Sequence, residues 1–319
     1  FFGNPATLNY WGVWNYGEFI GYIGVIPLIF ALSGMATPGL PRFFAYVAGI
    51  SLLCMLPNPL SKFIYVVHTP VLSVMQPTRL MVLVDFSLAI LAAYSLDRWI
   101  KGEKILIKMS SIVVGVIVAT LWIIVLGGRF IITSSEVLAN LEIAKRNLII
   151  PTILFLACIG GMGVYRVLHQ KLYKSLWVGA LLVVIVADLF RFGWKFTPFT
   201  SEKYFFPETQ VITFLQKQPK PFRVMSLDDR ILPPNVSAYY GIETIEGYDP
   251  LAPKRYEELL AASERGNADT NTPSGFNRIY TAHNIDSSVL PYMNVRYVLA
   301  LGEVKRPFLR EVMKEGETF

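Results

Sequence analysis

A few side chains in this 319-residue sequence combine a reactive type with a placement that chemistry can use. Glu18 closes an aromatic-rich opening stretch, residues 1–18, just before the first apolar run. A carboxylate there can orient an acceptor hydroxyl or hold a divalent metal; alternatively it is an acid at a helix start, favoured by the helix dipole. Arg79 follows Gln76-Pro77-Thr78 at the head of another apolar run. Its planar fork of donors suits a bidentate grip on a phosphate, and the competing reading is an interfacial anchor that snorkels to the headgroups. Lys62 and His68 share the broken stretch 61–75, where they either line the same cavity as Arg79 or meet headgroups. Asp85 lies inside an apolar run, where an uncompensated charge costs at least about 2.5 kcal/mol, so it needs a partner in a bundle interior or a proton. Asp188 and Arg191, three apart, read as a local ion pair on one helix face. Further on, Asn235 and the pair Tyr248 and Asp249 sit in proline-punctuated turns, where Tyr239, Tyr240 and Tyr248 offer stacking faces and the turn residues serve backbone geometry.

Other chemistries find little support. Cys54 and Cys158 both lie in apolar runs without CxxC spacing, and His68, His169 and His283 are far apart, so neither a disulfide framework nor a histidine-based metal site is indicated. The net charge is +6. The basic residues gather at the ends of apolar runs, which points to membrane topology rather than to nucleic acid.

The elements that must position these residues are set by hydropathy. The chain is 53% hydrophobic and 16% charged, with mean hydropathy +0.46, too apolar for an ordinary soluble domain of this length. Apolar runs cover 19–36, interrupted by Gly21, Gly24 and Pro27; 43–56, which is short; 80–96; 105–126; 148–168; and 175–193. The last matches a hydrocarbon core of about 30 Å at about 1.5 Å of rise per residue. Residues 61–75 read as a re-entrant or interfacial segment, and the polar stretch 128–147 carries helical spacing at Val137, Leu141 and Ala144.

Positive charge clusters around Lys101 and around Lys171, two spans apart, so both turns are expected on the cytoplasmic side. Alternation then puts residues 1–18, 57–79, the Glu136 region and everything after residue 193 on the outer face. Residues 1–193 thus form a polytopic helical membrane region. Residues 194–319 read as a small extracytoplasmic α/β domain, with helices over 208–216 and 254–263 and strands over 222–226 and 295–300. The start at FFGNP without Met and the stop at EGETF suggest a piece of a longer protein.

Three ordered pieces carry a resemblance: FFGNP…NYGEFIGYIGVIPL, QPTRLMVLVDFSLAILAAYSLDR, and FRVMSLDDRILPPNVSAYYGIETIEGYDPLAPKRYEELL with MNVRYVLA. Together they resemble the bacterial YfhO-type membrane proteins, a family similar to the GT-C glycosyltransferases. That resemblance implies a GT-C-like helix bundle that takes sugar from a polyprenyl-phosphate carrier and delivers it to an envelope polymer such as a teichoic acid. It implies lipid-phosphate binding at Arg79, Lys62 and His68, sugar or acceptor contacts at Tyr248, Asp249 and Asn235, and a main catalytic acid upstream of Phe1, with Glu18 as the candidate within this sequence. A divalent metal stays open. The alternatives are a flippase or transporter for the same lipid-linked sugar, with Asp85 on its path, or a non-catalytic scaffold whose tail binds a partner.

Overall fold

The structure is a computed structural model that describes residues 1–12, 16–70, 73, 76–194, 199–249, 251–270 and 279–316. Among its described residues the first unit, residues 1–198, contains seven α-helices: α1 Val25–Gly34, α2 Leu40–Met55, α3 Pro59–Val66, α4 Met81–Ile100, α5 Ile107–Ile131, α6 Ser135–Val167 and α7 Lys171–Trp194. Helices α5, α6 and α7, and α4 with the 3-10 turn Pro77–Leu80 before it, are long and apolar enough to cross a membrane. Large apolar side chains such as Ile123, Val183 and Ile112 stand exposed on their outer faces, as lipid contact requires.

Two runs differ from the sequence reading. The run 19–36 yields only ten helical residues, because Gly24 takes a positive φ of 85° and starts the helix late. The stretch 43–66 is a bent pair: α2 and α3 meet at 70°. Pro57 and Pro59 flank the break, and Asn58 caps α3 by accepting from Leu60 N and Ser61 N while Ser61 Oγ accepts from Asn58 N. Of the stretch read as re-entrant or interfacial, residues 71, 72, 74 and 75 lie outside the described residues.

The polar stretch 128–147 is almost wholly helical. Helix α5 continues to Ile131, and α6 begins at Ser135 and runs for 33 residues. The helical spacing explains why: Leu141, Ala144 and Leu148 bury one face of its polar half against Val125 of α5, and Arg129 pairs with Glu142 across the two helices.

Packing in the bundle relies on small residues that let backbones approach. A Cβ on Gly34 of α1 would stand 2.2 Å from Ser95 Oγ of α4 and 3.2 Å from the Leu91 carbonyl oxygen. Around this contact Ile29, Phe30, Ala31 and Leu91 are fully enclosed.

The second unit, residues 199–319, adds α8 Gln210–Gln216, β1 Arg223–Ser226, α9 Val236–Tyr239, β2 Gly247–Tyr248, α10 Lys254–Arg265, β3 Ile279–Tyr280 and β4 Val295–Leu299. The apolar strands β1 and β4 pair in parallel, and a parallel bridge from Val224 to Thr244 extends the sheet on the other side of β1. Alternation along β1 sends Val224 toward α8 and Met225 toward α10. The tail is therefore three layers deep, with Val211, Ile212 and Leu215 covering one face and Leu260 and Ala261 the other. The short strands β2 and β3 form a separate antiparallel pair.

Candidate functional site

One end of the helical bundle gathers polar groups from three distant parts of the sequence. Glu18 lies in a 3-10 turn, Tyr16–Phe19, that rests on the start of α4. Thr78 Oγ1 donates to Glu18 Oε2 at 3.1 Å, and Arg79 Nε stands 3.9 Å from Glu18 Oε1. The Arg79 side chain is 54% exposed against 20% for Glu18. The carboxylate is thus held from one side, while more than half of the Arg79 side chain stays open. Gly21 permits this arrangement, since a Cβ there would come within 2.7 Å of Met81 Sδ.

Four residues beyond Glu18, the same segment reaches α7. Tyr22 donates its hydroxyl to Asp188 Oδ2 at 2.6 Å and stacks on Phe192 with ring centroids 4.3 Å apart. Asp188 is 6% exposed. Its other oxygen accepts from Arg191 Nη2 at 3.1 Å and Nε at 3.3 Å. The pair read from the i,i+3 spacing is therefore one half of a three-residue cluster. Burial of Asp188 is supported because both oxygens have donors. The aromatic ring of Tyr22 gave no signal of this role in the sequence, for a tyrosine in an apolar run usually only packs. Segment 16–24 thus joins the start of α4 to the end of α7, and Phe1 and Trp11 pack where α5 ends and α6 begins. Glu18, Arg79, Tyr22, Asp188 and Arg191 share one end of the bundle.

The other residues singled out from the sequence are placed differently. Lys62 is exposed on α3, and His68 is exposed just beyond it with a left-handed φ of 51°. Among the described residues neither side chain makes an ion pair or hydrogen bond, and they are not joined to Glu18 or Arg79. Asp85 is half-buried on α4, and its Oδ1 is enclosed without a hydrogen-bond partner among the described residues.

In the tail, the Asn235 amide is committed at both ends: Nδ2 donates to the Tyr248 carbonyl at 2.6 Å and Oδ1 accepts from Tyr248 N at 3.0 Å. With its backbone in the left-handed region at φ 71°, Asn235 acts as a substitute strand edge that holds β2. Asp249 Oδ1 accepts from Leu251 N at 2.8 Å, closing a turn on itself. Pro250, between them, lies outside the described residues. Of these three residues only the Tyr248 ring, 44% exposed, keeps a free face for a ligand.

Sequence reasoning also passed over Glu246. It is 7% exposed, Oε1 accepts from Ser226 N at 2.8 Å, and Oε2 is enclosed without a partner among the described residues. Burial pushes its carboxyl up to about 7, opposed by the Ser226 N–H and reinforced by the negative charge of Asp229. In the sequence the available signal was an acid set between Ile245 and Gly247. Close by, hydrogen bonds from Arg230 hold Asp228 down to about 2.

A cavity of about 780 Å³ in the tail lies between α8, β4 and residues 303–313, and none of the site residues read from the sequence lines it. Among the described residues no group of three His, Cys, Asp or Glu side chains is arranged to hold a metal ion. Compared with known proteins, the chain matches no protein-family model, no curated protein and no solved structure.

Proposed function

We propose that the chain belongs to a GT-C-like membrane glycosyltransferase of a bacterial cell envelope, which moves sugar from a polyprenyl-phosphate carrier to an envelope polymer or lipid on the outer face. The observation that carries this reading is the juxtaposition of Glu18 and Arg79, with Tyr22, Asp188 and Arg191 at the same end of the bundle. In this reading the exposed Arg79 side chain takes the carrier phosphate and stabilises the charge it gains as the sugar leaves. Glu18, fixed by Thr78 and set beside the guanidinium, orients the acceptor hydroxyl. Asp188 and Tyr22 keep Arg191 and the 16–24 segment in register with α4 and α7. The tail, in the same reading, is extracytoplasmic and offers the Tyr248 ring as a stacking face for sugar or acceptor.

A second reading, movement of the same lipid-linked sugar across the bilayer, is favoured by one observation: the enclosed, unpartnered oxygen of Asp85 inside a span. Polyprenyl-phosphate sugar and a radiolabelled acceptor, given to the membrane-embedded protein, separate the two. Arg79→Ala is expected to lower transfer at least tenfold and Arg79→Lys to restore part of it. Transfer at the wild-type rate in Arg79→Ala would remove the phosphate role and, with it, the main support for a transferase.

A further inference from the structure

The opposite end of the bundle holds a second polar feature that the transfer reading does not use. A cavity of about 540 Å³ opens where α4 and α6 end and α5 and α7 begin, lined by Trp99, Lys104, Ile107, Tyr165, Arg166 and Lys174. That volume lies within the roughly 300–1,000 Å³ of small-ligand sites. Three of the lining residues are cations, and among the described residues none of them lies within 4 Å of a carboxylate. The one acid at the rim, Glu103, is taken by Arg98 Nε at 2.5 Å.

The floor is rigid and aromatic. Trp99 and Tyr165, 9% and 8% exposed, have ring centroids 4.4 Å apart, and Trp177 packs on both at 5.6 and 5.2 Å. Lys174 Nζ is held 5.3 Å above the Tyr165 ring. The first turn of α5 adds its own positive end, since Leu106 provides no side-chain cap and Ile107 lines the cavity. Cations, helix start and aromatic platform converge on one space, and the carboxylate that lines it, Glu103, is paired with Arg98.

We propose that this cavity is a seat for a phosphate-bearing anion, supplied in the bilayer by the headgroup of an anionic phospholipid. Lys104, Arg166 and Lys174 hold the phosphate, while Trp99 and Tyr165 sit at headgroup depth beside the glycerol backbone. The same chemistry would accept inorganic phosphate from solution. A further source of basic residues at helix ends is topology itself, and the placement of the cations tells the two apart. Lys101, Lys108 and Lys171 lie at the same end without lining the cavity, so they serve topology equally and the seat not at all.

The test is lipid retention by the full chain, purified in detergent and titrated with phosphatidylglycerol, phosphatidylcholine or inorganic phosphate, with bound adducts counted by native mass spectrometry. The wild type is expected to hold phosphatidylglycerol at least tenfold more tightly than phosphatidylcholine. The triple variant K104Q/R166Q/K174Q is expected to lose at least tenfold in phosphatidylglycerol affinity, and K101Q/K108Q/K171Q less than threefold. Equal losses in the two triples, or none in either, would overturn the seat. Competition by millimolar inorganic phosphate assigns the recognition to the phosphate group and supports it; binding of phosphate without any preference for phosphatidylglycerol overturns the lipid source. Should the cavity triple fail to fold, the single variant K174Q carries the same test, with an expected loss of at least threefold at an unchanged melting temperature.

Discussion

Replacing Glu246 with glutamine should stabilise the tail at neutral pH and remove a pH dependence that the wild type carries. In the folded protein the Glu246 carboxyl is raised from 4.5 to about 7, first by burial and then by Asp229. A raised acid means that the folded state binds the proton more tightly than the unfolded chain does. Stability from this group is therefore complete below about pH 4.5, falls as pH rises toward 7, and is lost above it. At about 1.4 kcal/mol per pH unit, the full loss is about 3 kcal/mol. Glutamine keeps an oxygen to accept from Ser226 N and carries no charge at any pH, so Glu246→Gln should sit near the acid-side stability throughout. The groups facing Glu246 are Asp229 and Tyr256, whose hydroxyl donates to the Ile245 carbonyl at 2.7 Å and titrates only at about 12. Tyr256 therefore keeps its proton between pH 5 and 8. Every tryptophan lies at or before Trp194, so fluorescence would not report on the tail. Hydrogen exchange of peptides covering 223–226 and 244–249 in the full chain, corrected for the intrinsic pH dependence, would. Identical pH dependence in the wild type and Glu246→Gln would refute the reasoning, as would a variant less stable at pH 8.

Two further outcomes follow from the bundle. Tyr22→Phe keeps the stack on Phe192 but leaves one oxygen of the enclosed Asp188 without its donor, at a cost of about 1–3 kcal/mol; thermal unfolding in detergent measures it, and Asp188→Asn combined with Tyr22→Phe should lose less than the two single changes together. Gly34→Ala places a methyl 2.2 Å from Ser95 Oγ and should destabilise by about 1–3 kcal/mol, with Ser95→Ala restoring part of it in the same melt.

What the sequence made legible was local. Unbroken apolar runs located the long helices, and the spacing of Val137, Leu141 and Ala144 announced the helix in the polar stretch, whose Leu141 and Ala144 are indeed enclosed. The three-residue spacing of Asp188 and Arg191 gave their pair. The short β1 and β4 were visible as apolar runs, yet nothing in either run shows that they pair in parallel, because the 68 residues between their ends leave the partner open. The same limit hid the site's connections. Glu18 meets Arg79 across 61 positions, and Tyr22 meets Asp188 across 166; such contacts arise from how helix ends gather, which periodicity does not encode. The late start of α1 turned on one backbone angle at Gly24, and a glycine's presence permits that angle without requiring it.

The length of α6 has a mechanical consequence. Its 33 residues extend about 50 Å, while the hydrocarbon core takes about 30 Å. About four turns at its polar, N-terminal half therefore stand clear of the lipid, stiffened by α5 through Val125 and the Arg129 pair with Glu142. This is the end of the bundle that carries Glu18 and Arg79. Those turns form a stiff post beside the helix ends that carry Glu18 and Arg79.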